Sequence, residues 1–163
     1  MFRFRLASDY FIHWISSNSR HGTHSPFVYR LVDEVIYNYR AQTKSQLAVN
    51  PSRKVNGLIN RLIDFFKPKD FRMLLSVADL EDVNELSFLL ITKEPLALFQ
   101  ACLPKADSQT VLVFQDIYAN KDRKAAWKKI KENPQVSVTV DLFYIGLVFF
   151  RTGQAKEDFK IRF

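Results

Sequence analysis

The sequence predicts an α/β fold, and three observations lead to this class. Apolar runs of strand length recur through the C-terminal two thirds of the chain, and segments with helical periodicity separate them. The chain then closes with two alternating segments that can pair as an antiparallel hairpin. In order, these segments are strand 71–77, strand 86–92, helix 93–103, strand 110–114, helix 121–132, and strands 136–143 and 147–151, with a turn at residues 144–146. Strands that alternate with helices favour a mostly parallel sheet.

Length and composition favour one ordered domain. The chain has 163 residues, 47% of them hydrophobic and 25% charged, which fits a single domain over residues 1–163 and argues against disorder. No apolar run approaches about 18 residues, so no membrane span is expected. The N-terminus lacks the pattern of a secretory signal. Cys102 is the only cysteine, so we expect it to be buried, with the protein in the reducing cytoplasm.

The positive charge is concentrated near the N-terminus. The formal net charge is +7, and residues 1–72 contain 12 Lys and Arg against 5 Asp and Glu. The remaining residues are balanced. Such a basic region can attract nucleic acid, anionic lipid or an acidic partner, although an ordinary solvated surface has the same composition.

The first segment, residues 4–18, has helical periodicity with a wide aromatic stripe. The stripe contains Ala7, Phe11, Trp14 and Ile15, and Tyr10 extends it. We expect this face to pack on the domain or on a second copy. The alternative is a membrane-surface helix, for which more cationic residues would be expected opposite the aromatic residues.

Two further helices complete an N-terminal helical part, residues 1–66, ahead of an α/β core at residues 67–163. Ser25 is a suitable N-cap and Pro26 suits the first helical position, which predicts a helix over residues 26–39. A polar loop over residues 41–53 precedes a helix over residues 55–66, which ends before Pro68 because proline disfavours helix in the residue that precedes it.

Four segments resemble one family. They are RHGTHSPFVY at residues 20–29, FFKPK at 65–69, TVLVFQDIYANKDRKAAWKKIKENP at 110–134 and VSVTVDLFYIGLVFFRTGQAKEDFKIRF at 136–163. Each is similar to a group of small bacterial class I S-adenosylmethionine-dependent methyltransferases, mostly from Bacteroidetes. The resemblance implies a Rossmann-like methyltransferase sheet, with S-adenosylmethionine as the cofactor of intact relatives.

The chain departs from that family wherever the family has its polar chemistry. After the first strand the family has a glycine-rich loop of the form E-x-G-x-x-x-G, whereas residues 76–80 here read SVADL. No segment corresponds to the second or third strand. Residues 90–94 (LITKE) replace the family's F-I-D-G-N-H, and Gln115–Asp116 replaces Asp-Asp. The short link after the first strand therefore resembles a deletion of about two βα units, cofactor loop included.

The resemblance also implies a reduced sheet of about five strands. In the family's labels the order is first, fourth, fifth, seventh, sixth, with the seventh antiparallel as the hairpin partner. Loss of the second and third strands leaves the first at an edge, where exposed backbone groups can pair with another chain. We therefore expect a homodimer through this edge strand or through the N-terminal helices.

Few residues are candidates for a cofactor site. Asp79, Asp116, His21 and His24 are the candidates, and none has the glycine-rich surroundings that the family's cofactor needs. His21 and His24 with His13 give too few ligands for a metal, so no metal site is expected. No nucleophile motif is present, so no catalytic residue is assigned.

These observations leave three hypotheses. The first is a degenerate methyltransferase-like protein, a pseudoenzyme without bound cofactor that acts as a binding or assembly module for an unknown protein partner. The second is a residual methyltransferase whose pocket is rebuilt from Asp79, Asp82, Asp116 and residues 21–24. The third, for which no zinc-finger or RNA-recognition signature is present, is nucleic-acid binding through residues 1–72.

Overall fold

The computed structural model describes residues 2–17 and 25–163. Its backbone contacts divide the chain into two units. The sheet unit contains Met1–Ser17 and Lys69–Arg162, and the helical unit contains Asn18–Pro68 and Phe163. The first predicted helix therefore groups with the sheet and not with the other N-terminal helices. Each unit is described separately below.

The sheet unit is built on one mixed sheet of six strands. The strands are β1 (Phe71–Leu74), β2 (Phe88–Ile91), β3 (Val111–Gln115), β4 (Val138–Asp141), β5 (Ile145–Phe149) and β6 (Glu157–Lys160). They lie in the order β1-β2-β3-β5-β4-β6. β5 is antiparallel to both of its neighbours, and all other pairs are parallel. The α/β class is confirmed, and the first five strands in this order match the order that the resemblance implies.

The prediction of about five strands is wrong by one. β6 pairs in parallel with β4 at the end of the sheet opposite β1. Its sequence, EDFK, has a single apolar residue, Phe159, which is buried. One inward side chain is too weak a pattern to identify a strand from sequence, and the position beside β4 is what stabilises the extended backbone.

Three helices accompany the sheet. They are α1 (Phe2–Ser16), α4 (Pro95–Cys102) and α5 (Lys121–Glu132). Asn120 caps α5 by accepting a hydrogen bond from the Arg123 N–H at 2.8 Å. Strands β2 to β5 are buried along their length, as expected for strands covered on both faces. Cys102 is buried in the core, as predicted.

Several boundaries in the sheet unit differ from prediction, most of them by one or two residues. β1 ends at Leu74 and not at residue 77, because Ser76 caps a 3₁₀ turn, Val77–Leu80. The hairpin turn lies before residue 145, so the predicted turn at residues 144–146 is displaced. Phe143 takes a left-handed conformation, φ 69°, within this turn, a geometry that its sequence gives no reason to expect.

Most of the aromatic stripe of α1 does not pack on the domain, so that prediction is wrong except at its border, where Tyr10 contacts the Phe143 ring. Ala7, Tyr10, Phe11, Trp14 and Ile15 are all exposed. The helix contacts the sheet unit through its opposite, polar face. Packing of the stripe on a second copy stays a prediction.

The helical unit contains α2 (Pro26–Leu31), which continues as one π-helical turn, Val32–Ile36, and α3 (Arg53–Phe66). Ser25 and Ser52 cap α2 and α3 with their hydroxyl groups. The capping prediction at Ser25 is confirmed, but the helix ends near residue 36 and not at 39. Within the described residues, none of the helices is both long and apolar enough to cross a membrane.

Candidate functional site

The carboxyl edge of the sheet is where a ligand is expected in an open α/β fold. Strands β1, β2, β3 and β4 all end there, because they run parallel. Groups of the chain itself occupy this edge in three places, which are the turn after β1, the space between β2 and β3, and the ends of β3 and β4.

The turn after β1 is closed by its own carboxylate. Oδ2 of Asp79 accepts hydrogen bonds from the N–H groups of Leu75 and Ser76, at 2.7 and 2.9 Å. These two bonds hold the pKa of the exposed Asp79 carboxyl below its ordinary value. In a nucleotide-binding turn such N–H groups point at the ligand, whereas here they are already bonded to Asp79.

Arg123 fills the edge between β2 and β3. From the first turns of α5 its Nη1 donates to the carbonyl oxygen of Gln115 at 2.8 Å, and its Nη2 donates to that of Thr92. The pocket around it has no volume that a water molecule could occupy. It is lined by Pro95, Phe114, Gln115, Ile117, Arg123, Trp127 and Ile130. The guanidinium thus satisfies carbonyl groups that would otherwise face a ligand or solvent.

The helix α1 covers the ends of β3 and β4 through its polar face. Arg5 donates to the carbonyl oxygen of Ala119, in the loop after β3, at 2.9 Å. Asp9 pairs with Arg5 at 3.1 Å and with Lys124 of α5 at 2.6 Å. Asp9 is buried, so both cations are needed to offset the cost of removing its charge from water.

Asp141, the last residue of β4, is the centre of the polar cluster beneath α1. Its carboxylate accepts four hydrogen bonds, and only 2% of the residue is exposed. The donors are His13 Nε2 (2.9 Å), Tyr118 OH (2.8 Å), Trp127 Nε1 (3.0 Å) and the Phe143 N–H (3.0 Å). Burial by itself would raise the pKa of Asp141, but the bonds from His13, Phe143 and Tyr118 hold it below its ordinary value.

A serine extends this cluster into a chain of three groups. Ser17 Oγ lies 3.0 Å from Nδ1 of His13, whose Nε2 bonds to Asp141. Because a carboxylate only accepts, Nε2 must carry a proton. A serine, histidine and carboxylate in series can activate a nucleophile. Here, however, the single hydroxyl proton of Ser17 has another acceptor, the carbonyl oxygen of His13, and all three side chains are buried.

Aromatic rings enclose the His13–Asp141 pair. Tyr118 stacks on Phe143 with ring centroids 4.9 Å apart, and Tyr10 meets Phe143 edge-on at 5.0 Å. Burial, together with the charge of Asp141, raises the pKa of Tyr118 above its ordinary value. Neither of the two cavities described here includes His13 or Ser17 in its lining. The chain of three groups therefore anchors α1 to the sheet unit.

The predicted site residues are not brought together. Asp79 lies in the turn after β1, and Asp116 follows β3 in a left-handed conformation, φ 54°, with an exposed side chain. β2 lies between these two strands, which places their ends about 10 Å apart at about 4.8 Å per strand. His21 and His24 lie outside the described residues. Asp82 is exposed in the loop before β2.

Sequence reasoning missed His13, Tyr118, Arg123 and Asp141. A signal was present for only one of them. Asp141 follows Ser137 and Thr139 at the polar positions of an alternating strand, so its burial could not be predicted from the pattern. Asp9, His13 and Ser17 recur at intervals of four residues, which puts them on one face of a helix. No sequence pattern predicts that Arg123 reaches two carbonyl groups on different strands.

The helical unit has a groove of its own, with a volume of about 420 Å³. It is lined by Asp33, Glu34, Val35, Asn38, Ala41, Gln42, Thr43, Arg61, Asp64 and Phe65. Arg61 donates from Nε to the carbonyl oxygen of Val35 at 2.7 Å, and burial lowers the pKa of its guanidinium below the ordinary value. Asp64 accepts bonds from the Lys44 and Ser45 N–H groups, so its charge already stabilises the preceding loop.

Over residues 2–17 and 25–163, no group of three or more His, Cys, Asp or Glu side chains could hold a metal ion. Comparison of the chain with family models, with curated proteins and with solved structures gives no match.

Proposed function

We propose that this protein is a non-catalytic binding or assembly module, a pseudoenzyme built on a reduced Rossmann-like methyltransferase sheet of bacterial origin. Two features support the proposal. The sequence resembles methyltransferases at both ends of the sheet core. The observed strand order and the antiparallel β5 agree with the order expected for that family after loss of its second and third strands.

The observation that carries the proposal is the occupation of the carboxyl edge by the chain's own groups. S-adenosylmethionine needs backbone N–H groups and space beside the first strand. At that place Asp79 accepts the bonds from the Leu75 and Ser76 N–H groups. The neighbouring strand ends are bridged by Arg123. A cofactor would have to displace both sets of hydrogen bonds.

Isothermal titration calorimetry of the full chain with S-adenosylmethionine tests the proposal. We expect no saturable binding tighter than about 100 μM, which corresponds to about −5.5 kcal/mol. Tighter binding that is weakened by Asp79→Asn, but not by Asp122→Asn at an exposed position in α5, would overturn it. Comparison of Asp79→Asn with Asp122→Asn distinguishes binding at a site beside β1 from a general effect of losing one negative charge.

The alternative of a residual methyltransferase is favoured by one observation, the exposure of both Asp79 and Asp116 at the carboxyl edge. It predicts transfer of a labelled methyl group from S-adenosylmethionine to a small molecule or RNA, and loss of that transfer in Asp116→Ala. Absence of incorporation over a broad panel of acceptors counts for the non-catalytic module.

A homodimer through β1 is the assembly that we propose. β1 is an edge strand of the sheet, and Met73, Leu75 and Val77 are exposed hydrophobic residues in or just after it. An exposed edge with alternate apolar residues favours pairing with another strand. Sedimentation equilibrium should show dimers that dissociate in Met73→Lys, with the exposed Tyr29→Lys as control; a monomer at high concentration contradicts the proposal.

The lone, buried Cys102 is in keeping with the cytoplasmic location that we propose.

A further inference from the structure

The helix α1 packs with its polar face against the rest of the sheet unit. Asp9, His13 and Ser17 are buried at intervals of four residues, and each makes hydrogen bonds to the sheet unit or within its cluster. The other face is apolar and exposed. Its exposed fractions are Phe4 82%, Phe11 61%, Ile12 60%, Ile15 58% and Trp14 48%. Contiguous exposed aromatic and aliphatic residues of this kind mark a contact surface. We call these five residues the α1 apolar face.

Basic groups border the α1 apolar face at its C-terminal end. The guanidinium of Arg162 lies 4.7 Å from the ring centroid of Trp14, and its Nε donates to the Trp14 carbonyl oxygen at 3.1 Å. Nζ of Lys160 donates to Ser16 Oγ at 3.0 Å. Both residues belong to β6 or follow it directly, so the sheet fixes them beside the helix.

Acidic groups are almost absent from this surface. Asp9 is the only carboxylate in α1, and it lies on the buried face, paired with Arg5 and Lys124. β6 contains two acidic residues, Glu157 and Asp158. The exposed Asp158 accepts a hydrogen bond from Thr139, and the half-buried Glu157 faces the opposite side of the strand from Lys160. The surface presented to a partner is therefore apolar with a cationic border.

The sequence allowed two partners for this helix, a second copy of the chain and a membrane surface. The apolar face with its cationic border favours the membrane. A second copy would bring two cationic borders together, and like charges at an interface are unfavourable. An anionic bilayer is complementary to the border, and its interface accepts Trp, Phe and Ile side chains. At 15 residues, α1 is too short to span a bilayer, but it can lie in the interface plane.

We propose that α1 binds the surface of an anionic lipid bilayer, with the α1 apolar face inserted at the level of the headgroups and with Arg162 and Lys160 against lipid phosphates. The hydrogen bonds that Arg5 and His13 donate, and those that Asp9 accepts, then hold the sheet unit at the membrane with its fold unchanged. This inference is independent of the proposed non-catalytic function.

Vesicle flotation of the full chain tests the membrane proposal. The probe is a set of vesicles of equal parts phosphatidylcholine and phosphatidylglycerol, with pure phosphatidylcholine for comparison. We expect binding to the anionic vesicles, weaker binding at raised salt, and at least about tenfold weaker partitioning for Phe11→Glu. Tyr29→Glu introduces the same charge at another exposed hydrophobic site, 46% exposed in the helical unit, and should bind like the wild type.

Two further measurements test the contacts individually. Arg162→Gln should weaken binding about fivefold, because a basic residue near an anionic surface contributes about 1 kcal/mol, whereas Arg151→Gln, at another exposed arginine, should have a smaller effect. Trp14 fluorescence should shift to the blue on binding, and the shift should be absent in Trp14→Phe because Trp127 is already buried.

The proposal is overturned by any of three results. The protein fails to float with anionic vesicles, or Phe11→Glu and Tyr29→Glu float equally, or sedimentation shows a vesicle-independent dimer that Phe11→Glu dissociates. The last result would identify a second copy as the occupant of the α1 apolar face.

Discussion

Replacement of Asp141 by Asn removes one charge and no volume from the centre of the buried cluster. The carboxylate accepts four hydrogen bonds, from His13, Tyr118, Trp127 and Phe143. Asparagine has one carbonyl oxygen, which accepts two, and an amide nitrogen that only donates. Whichever way the amide is oriented, its nitrogen faces one N–H group that can only donate and is left without an acceptor.

The identity of that donor follows from the geometry. His13 and the Phe143 N–H point at one carboxylate oxygen, and Tyr118 and Trp127 at the other. His13 can change tautomer and the Tyr118 hydroxyl can accept, but the Trp127 and Phe143 N–H groups cannot. One buried donor without a partner costs about 1–3 kcal/mol. The remaining hydrogen bonds also become weaker, because their acceptor is no longer charged. We therefore expect Asp141→Asn to destabilise the fold by about 3–5 kcal/mol.

Urea unfolding followed by circular dichroism measures this loss. The midpoint should fall by at least about 1 M, at a slope of about 1–3 kcal/mol per M. Asp82→Asn, at an exposed position, should stay within about 0.5 kcal/mol of the wild type. If Asp141→Asn is too unstable to measure, Tyr118→Phe removes a single donor and should cost about 1–2 kcal/mol. A loss below about 1 kcal/mol for a well-folded Asp141→Asn would refute the reasoning.

Three further predictions concern other parts of the sheet unit. Stability of the wild type should begin to fall once the pH drops below the ordinary aspartate pKa of about 4, because the pKa of Asp141 is lower in the folded than in the unfolded chain. The contribution of Asp141 is complete above the unfolded-state pKa and is lost as the pH falls through the lower folded-state pKa. Acid titration of Asp141→Asn should show a shallower fall. Gly146→Ala should cost about 1–3 kcal/mol by thermal unfolding, since the new Cβ would lie 2.6 Å from the Trp127 ring; unchanged stability would show that Trp127 moves freely. Cys102 should react with a thiol reagent only after urea unfolds the chain, because burial raises its pKa to about 11; rapid labelling of the native protein would contradict its burial.

The elements that sequence predicted best are those with strong local signals. Helix α5 begins and ends at the predicted residues, because Asn120 caps its start and Asn133–Pro134 follows its end. The central strands were found because they are apolar along their whole length. β6 was missed because its extended conformation depends on pairing with β4, which is contact information that no window of sequence contains.

The site was predictable only in part, for a different reason. A motif search identifies residues that share a local pattern, and Asp79 and Asp116 were found in this way. The observed cluster joins residues that are distant along the chain, since His13 and Asp141 are 128 positions apart. Only the strand order and the path of α1 across the carboxyl edge bring them together.

The orientation of α1 depends on two contributions of similar size to the free energy of folding, which are the burial of apolar side chains and the pairing of buried polar groups. Turning the helix over would bury about three aromatic or aliphatic side chains, each worth about 1.5–3 kcal/mol. It would also leave the carboxylate of Asp141 without His13, and an uncompensated buried charge costs about 3–5 kcal/mol, besides breaking the pairs of Asp9 with Arg5 and Lys124. The two totals are close enough that apolar periodicity alone cannot predict which face lies inward. An inward polar face is the more favourable arrangement when the outward apolar face is buried against a partner. The anchor at Asp141 and the binding surface that we propose at Phe11 and Trp14 would then be two consequences of one arrangement.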